Sequence, residues 1–447
     1  MDDIVSPLDE RYRTEMNSIF GQKAKLDRWM DVEIALANAH SKLGNIPKGA
    51  AKEIASAKPK VKIERVNEIE NEIHHDLMAL VKAMSEQAGE SGAYVHFGST
   101  SYDIEDTATA LIFRDAIAQI EKRLASLRVV LKTLAQKHRK TVCIGRTHGQ
   151  HATPTTYGMK FALYYQEAGR NLERLSEVKK RILVGKMSGA VGTMATFKGQ
   201  GEKIEKMVMD ELGLSPAPVA TQVVQRDRHA EVLSILALTA SGIEKIAKEL
   251  RNLQRTEIGE VGEAFGSKQV GSSTMPHKRN PHKSERVCSL ARLVRGNVAV
   301  ALENISLEHE RDLTNSANER FIFSESFIVL DYMLAQMESI LKGLEFFPAN
   351  IKRNLELTNG LIMAERLMIE ITERKLMIDG KIMGRQEPHE FVRGLSQKAF
   401  REGRHLKDVF AESEIGRKFR KNEIETLFDY STYIGESEKV VERAIKD

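Results

Sequence analysis

Apolar side chains recur at alternating intervals of four and three residues in three separate segments of the chain. Phe113, Ile117, Ile120, Leu124, Leu127, Leu131 and Leu134 form the first. Val232, Leu236, Thr239, Ile243, Ile246, Leu250 and Leu253 form the second, with Thr239 the one polar member. Val287, Ala291, Val294, Val298, Ala301 and Ile305 form the third. A repeat of 3.5 residues is the pattern of helices wound into a left-handed bundle. Stripes of about 20 residues imply helices of roughly 30 Å or more at ~1.5 Å per residue. Proline supports this reading, since none occurs between Pro59 and Pro154 or between Pro281 and Pro348, and proline breaks helix interiors. An all-α, long-helix bundle is predicted, and an all-β fold, which needs far denser turn punctuation, is excluded.

The flanking regions read as shorter helices. Asp27 to Leu43 carries an apolar face and stops at Gly44 and Pro47. Residues 61–84 form another amphipathic stretch, dense in polar groups from Glu68 to Asp76, and a glycine-containing segment spans Gly89 to Gly98. Beyond Pro348 come helical patterns over 349–378, 388–402, 416–428 and 435–446, separated by Asp379-Gly380, Gly384 and Gly435. Three helical domains are predicted: an N-terminal domain, 1–98; a central long-helix bundle, 99–347; and a C-terminal domain, 348–447. Helices this long carry more side surface than one chain covers, so subunit association is expected.

Composition narrows the partners. Among 447 residues, 67 Lys and Arg stand against 63 Asp and Glu, a formal net charge of +4. No basic block interleaved with aromatics appears, so no nucleic-acid partner is expected, while a small anionic substrate is compatible. The two cysteines, Cys143 and Cys288, lie in separate segments and suit a reducing compartment. The N-terminus is acidic and polar rather than signal-like, and no apolar run approaches the ~20 residues that cross a bilayer. A cytoplasmic protein without membrane contact is predicted.

Three strings carry candidate chemistry. Gly271-Ser272-Ser273-Thr274-Met275-Pro276-His277-Lys278-Arg279-Asn280-Pro281 follows a glycine-rich run and leads into the third striped helix. Asn280 suits an N-cap and Pro281 the first helical position. Hydroxyls, a lysine and an asparagine are thus placed beside a helix N-terminus, which favours an anion, and a serine there could act as base or nucleophile. The plain alternative is a loop with solvated charges. Gly145-Arg146-Thr147-His148-Gly149-Gln150-His151-Ala152-Thr153-Pro154 holds two histidines three apart. A zinc hydrolase would need a glutamate beside the first and a third ligand, so no metal is expected. His148 suits a general acid, while His151 reads as a satisfied structural histidine. His96-Phe97-Gly98-Ser99-Thr100-Ser101-Tyr102-Asp103 opens the first striped helix. Its hydroxyls form an N-cap cluster, or bind a substrate carboxylate.

With these strings the sequence resembles the fumarase/aspartase superfamily, whose members release fumarate by cleaving C–N or C–O bonds. The Gly-Ser-Ser-x-Met-Pro-x-Lys-x-Asn signature is met by 271–280. Further matches, spanning residues 6 to 320, resemble the branch that acts on adenylosuccinate. They include Ser6-Pro7-Leu8, Arg11-Tyr12, His75-Asp76, Thr100-Ser101, Thr221-Gln222, Ser284-Glu285-Arg286, His309-Glu310-Arg311-Asp312, Ser316 and Arg320, with Phe428-Asp429-Tyr430 near the C-terminus. The resemblance implies a β-elimination giving AMP and fumarate, and a parallel reaction on succinylaminoimidazole carboxamide ribotide, both in purine biosynthesis. It implies Ser272 as general base, His148 as general acid, and His75 as a support to His148 or a substrate contact. Lys278 and Asn280 would hold carboxylates, and Glu285 would orient the second histidine pair. Arg11, Tyr12, Arg311, Ser316 and Arg320 would contact phosphate and ribose. Thr100, Ser101, Gln222 and Arg286 match substrate-binding positions, with His74, Asp76 and His96 assigned to the same site. A homotetramer with a central twenty-helix core and active sites shared between subunits is implied.

The chemistry fits. Removing a weakly acidic C–H while C–N breaks loads charge onto the neighbouring carboxylate, and fixed donors there stabilise it. A base and an acid on opposite sides complete the elimination. No cofactor is needed, and neither a dinucleotide glycine fingerprint nor a Walker loop occurs. One departure is His74, where many bacterial relatives have arginine. The competing readings are 3-carboxymuconate cycloisomerase, another superfamily lyase, and a non-catalytic structural protein on the same fold. The Arg11-Tyr12 pair and the Arg311, Ser316, Arg320 set argue against the first, and the intact Ser272, His148, Lys278 and Glu285 against the last.

Overall fold

A computed structural model describes residues 6–446 except 267, 269, 379, 380, 383 and 385. The Asp379-Gly380 separator therefore lies outside the described residues. Five helices of 22 to 37 residues dominate: Ser101–Lys137, Tyr157–Ile182, Asp227–Leu253, His282–Glu303 and Ser316–Lys342. Every apolar member of the first two stripes is buried, from Phe113 to Leu134 and from Val232 to Leu253. The third stripe is buried at Val287, Ala291, Val294 and Ala301 and half-buried at Val298, but Ile305 lies beyond the helix end and is 45% exposed.

The chain forms two compact units, each discontinuous in sequence. The first comprises Met1–Ala125, Arg170–Glu244 and Val287–Gln336, the second Ser126–Gly169, Lys245–Arg286 and Met337–Asp447. In the first, the Gln22–Lys42 helix packs on Gly201–Leu212 through a core that includes Trp29, Leu36, Ile54, Leu80, Ile104 and Val208. The amphipathic stretch 61–84 is not one helix. It splits into Ile63–Ile73 and Asp76–Gln87, because His74 takes a left-handed backbone (φ 54°) and His75 becomes the N-cap of the second helix. The break exposes the histidine pair at a helix start instead of burying it in a helix face.

In the second unit, Val142–Thr147 pairs antiparallel with Gln150–Thr156, a hairpin that the helical reading did not anticipate. His138 stacks on Phe346 there, with ring centroids 4.0 Å apart, and Val261–Gly262 pairs with Glu345–Phe346 just before the helix Pro348–Glu356. The remaining C-terminal patterns appear as Ala364–Glu373, Gln386–Glu402, Lys421–Leu427 and Ser437–Ala444.

Candidate functional site

The first unit gathers the residues expected to hold a nucleotide. Asp76, Ser316 and Arg320 line one cavity of about 340 Å³, together with Lys25, Tyr102 and Glu105, which the sequence did not single out. Arg320 Nη2 donates to Asp76 Oδ2 at 2.7 Å. Burial opposes ionisation of Asp76, but the Arg320 charge and hydrogen bond, the Leu77 N–H and the Lys25 charge together outweigh it and hold the carboxyl below its ordinary range. Burial, with Asp76 and Asp106 nearby, pushes Glu105 up to about 8, so it carries a proton at neutral pH. Burial also pushes the Tyr102 phenol up to about 12, and its hydroxyl is bonded to Ser316. Arg320 borders a second cavity of about 590 Å³ as well, which Tyr12 lines. Arg11 is exposed beside it in sequence.

Arg311 lies over the Tyr102 ring, 3.6 Å from its centroid, and donates to Gln222 Oε1 at 2.7 Å. Gln222 in turn donates to the Ala190 carbonyl at 3.0 Å. Behind Tyr102, the buried Arg226 is bonded to both Asp106 (2.8 and 2.9 Å) and Glu319 (2.8 and 3.3 Å). The buried guanidinium is thus paired by two carboxylates, and burial raises the pKa of Glu319, the second of them.

At the start of the 101–137 helix, Asp103 Oδ2 accepts from the Thr100 N–H at 2.8 Å, so it is the Asp103 carboxylate that reaches back to close the helix start. Asp103 is fully buried and also accepts from Ser188 N, Gly189 N and the Lys186 ammonium. Ser101 begins the helix and is half-buried. His96, in a left-handed conformation (φ 64°), is held by the carboxylate of Glu33. His75 Nδ1 caps Met78 N at 3.4 Å, and about half of its side chain is exposed.

In the second unit, His148 occupies the tip of the hairpin. Thr147 pairs with Gln150, leaving His148-Gly149 as a two-residue turn with both φ angles positive (53° and 74°). That is the type I′ geometry favoured between twisted strands, and it demands glycine or a tolerant polar residue. The tip is exposed. Its base is fixed by Glu260, a fully buried carboxylate bonded to Arg146, to the Tyr157 hydroxyl and to Asn354 Nδ2 (2.8 Å). Burial lowers the pKa of His151, which favours the neutral ring, and its Nδ1 is buried without a hydrogen bond, unlike that of a satisfied structural histidine.

The signature loop closes on itself. Asn280 Nδ2 donates to the Gly271 carbonyl at 2.8 Å, so the side chain ties the loop ends instead of capping the helix. The helix starts at His282, and its cap comes from Glu263, which accepts from Ser284 N (2.7 Å) and Ser284 Oγ (2.6 Å). A Cβ on Gly271 would sit 2.2 Å from the Lys278 carbonyl, so only glycine fits there. Ser272 Oγ accepts from the backbone N–H groups of Thr274 (3.3 Å) and Met275 (3.0 Å). Two donors aimed at one hydroxyl oxygen favour its deprotonated form. Lys278, Asn280 and Glu285 line a cavity of about 870 Å³. Arg286 follows on the same helix, half-buried. Among the described residues, no group of His, Cys, Asp or Glu is arranged to hold a metal ion, and no helix is long and apolar enough to cross a membrane.

Comparison with known proteins identifies this arrangement. The family model described as "Lyase" matches residues 10–296, and one described as "Adenylosuccinate lyase C-terminus" matches 360–444. The chain belongs to this lyase family and, within it, to the adenylosuccinate lyases. An adenylosuccinate lyase of Pyrococcus abyssi is 56% identical over 99% of this chain and 97% of its own length. That of Methanothermobacter thermautotrophicus is 50% identical over 99% and 98%. Among solved structures, a fumarate lyase from Mesorhizobium superimposes with a TM-score of 0.88 at 32% identity, covering 96% of this chain and 97% of the other. The 3-carboxy-cis,cis-muconate lactonizing enzyme of Pseudomonas putida also gives 0.88, at 30% identity and 98% coverage of both chains.

Proposed function

We propose that the chain cleaves adenylosuccinate to AMP and fumarate, and succinylaminoimidazole carboxamide ribotide to aminoimidazole carboxamide ribotide and fumarate, as a C–N lyase of purine biosynthesis. The observation that carries this is the 56% identity to an adenylosuccinate lyase over nearly the full length of both chains. Fold likeness alone does not choose, because a muconate lactonizing enzyme superimposes as well as a fumarate lyase does. Parallel assays on adenylosuccinate and 3-carboxy-cis,cis-muconate test the reading. Turnover of the first alone supports it, and turnover of the second alone overturns it.

In the proposed mechanism Ser272 removes the proton from the succinyl methylene carbon. The Thr274 and Met275 N–H groups on Ser272 Oγ support its alkoxide character. Lys278 and Asn280 hold the carboxylate that accepts electron density, and His148 protonates the departing nitrogen. His75 supports His148, and Glu285 orients the histidines. Arg11, Tyr12, Arg311, Ser316 and Arg320 hold phosphate and ribose, with His74, Asp76, His96, Thr100, Ser101, Gln222 and Arg286 completing the substrate contacts.

The working assembly in this reading is a cytoplasmic homotetramer. Five long helices per chain give twenty in four copies, and the long helices carry exposed apolar residues such as Val129, Leu163, Leu238 and Leu302. In this reading the domains follow sequence order, 1–98, 99–347 and 348–447, while the compact units of the fold are each discontinuous in sequence. A particle mass near four times 50.3 kDa in light scattering supports the tetramer, and a monomer at working concentration contradicts it.

A further inference from the structure

Glu33 lies in the middle of the Gln22–Lys42 helix and is 1% exposed. Both of its oxygens are committed to one residue. Oε2 accepts the backbone N–H of His96 at 3.0 Å, and Oε1 stands 2.7 Å from His96 Nδ1. Ser99 Oγ is 3.1 Å from the same Nδ1 and donates its own hydrogen to the His96 carbonyl at 3.2 Å. Ser99 therefore meets Nδ1 as an acceptor, and so does Glu33, which means that Nδ1 carries a hydrogen. Among the described residues Nε2 has no hydrogen-bond partner. The left-handed backbone of His96, unfavourable for a non-glycine residue, is fixed by the same carboxylate through its bond to the His96 N–H.

We propose that Glu33 is a positioning residue: it holds His96 as an imidazolium, with Nδ1–H on the buried carboxylate and Nε2–H presented to an anionic oxygen of the substrate, either phosphate or carboxylate. The inference rests on the reading that places His96 at the substrate site. A neutral imidazole with its hydrogen on Nδ1 would turn a lone pair, not a donor, toward the ligand, and would repel an anion. Burial of the ring disfavours the cation, but the Glu33 hydrogen bond and charge, with a smaller contribution from the Asp103 charge, raise the His96 pKa above the ordinary histidine value. Glu33 comes from the 22–42 helix and Asp103 from the 101–137 helix. No motif links Glu33 to His96, which lies 63 positions away.

The test is kcat and KM for adenylosuccinate across about pH 5.5 to 8.5 in the parent, Glu33→Gln and Glu33→Asp. Glu33→Gln removes the charge and is expected to raise KM about tenfold at the alkaline end and much less at the acid end, where the imidazole protonates unaided. Its kcat should change far less, and Glu33→Asp should restore a low KM near neutrality. AMP and fumarate as product inhibitors distinguish the two anion sources. Weakened AMP inhibition assigns phosphate, and weakened fumarate inhibition assigns carboxylate. A Glu33→Gln enzyme with the parent's KM at every pH, or with a KM rise that does not vary with pH, overturns the proposal. If Glu33→Gln does not fold, AMP and fumarate affinities of the parent and of His96→Asn are compared over the same range. One of the two ligands must lose affinity in the parent as pH rises through the titration of His96, with that loss absent in the variant. Profiles of the same shape in both proteins overturn the proposal. A parent that fails to turn over adenylosuccinate would instead overturn the functional reading.

Discussion

Arg320 and Asp76 lie 244 positions apart in the chain and meet at 2.7 Å on the wall of one cavity. The pair fixes the guanidinium of a proposed phosphate contact, because Asp76 is itself anchored by the Leu77 N–H at 2.8 Å. Arg320→Ala should raise KM for adenylosuccinate by roughly 10- to 100-fold with a smaller effect on kcat. Arg320→Lys should recover only part of this, since an ammonium cannot bond Asp76 and the ligand in the planar fork geometry. Initial-rate kinetics on both variants checks the split. A kcat loss without a KM change would remove Arg320 from the binding site.

Ser272 and His148 carry the proposed proton transfers. Ser272→Ala and His148→Gln should each lower kcat by roughly 100- to 10,000-fold while leaving AMP affinity within about threefold. Rates and AMP binding measured on the same preparations decide this. A near-parental rate in either variant would refute its assigned role.

Glu105 predicts a stability trend with a definite sign. Its folded pKa of about 8 lies above the ordinary 4.5, so the folded chain keeps a proton that the unfolded chain releases. The stability tied to neutral Glu105 is complete below about pH 4.5 and declines as pH rises toward 8. Glu105→Gln removes the titration. Its melting temperature relative to the parent should therefore climb between pH 5 and pH 8. A constant difference across that range would contradict the burial argument.

Asp103 and Lys186 form an ion pair with no exposed surface on either side chain. Asp103→Ala strands a buried ammonium and the N–H groups of Thr100, Ser188 and Gly189, and should cost about 3–5 kcal/mol. Lys186→Met in the same chain should recover part of the loss. Denaturant midpoints of the single and double variants measure this, and a double variant no better than the single would show that the lysine charge is not the main penalty.

The reach of the sequence can be stated through particular residues. The stripes over 113–134 and 232–253 are legible because every position in them is buried. The helices Tyr157–Ile182 and Ser316–Lys342 carry no such stripe, since buried polar residues interrupt their apolar faces: Asn171 in the first, Ser326 and Asp331 in the second. The hairpin was hidden because Gly145 to Gln150 lacks apolar alternation and Pro154 sits within its second strand. Within the candidate site, strings local in sequence were readable. Carboxylates acting across the fold were not: Glu33, Glu260 and Glu263 sit far from the His96, Arg146 and Ser284 groups they hold. A buried glutamate on an otherwise apolar helix face has a partner that only the folded chain reveals.

Elimination of fumarate from adenylosuccinate is the activity on which every residue role above depends. The most direct measurement follows the ultraviolet absorbance of adenylosuccinate with purified protein while AMP and fumarate are quantified in the same mixture. The two products should appear in equal amounts, and a Ser272→Ala preparation of the same fold should form them far more slowly. A folded parent protein that leaves adenylosuccinate unchanged would contradict it.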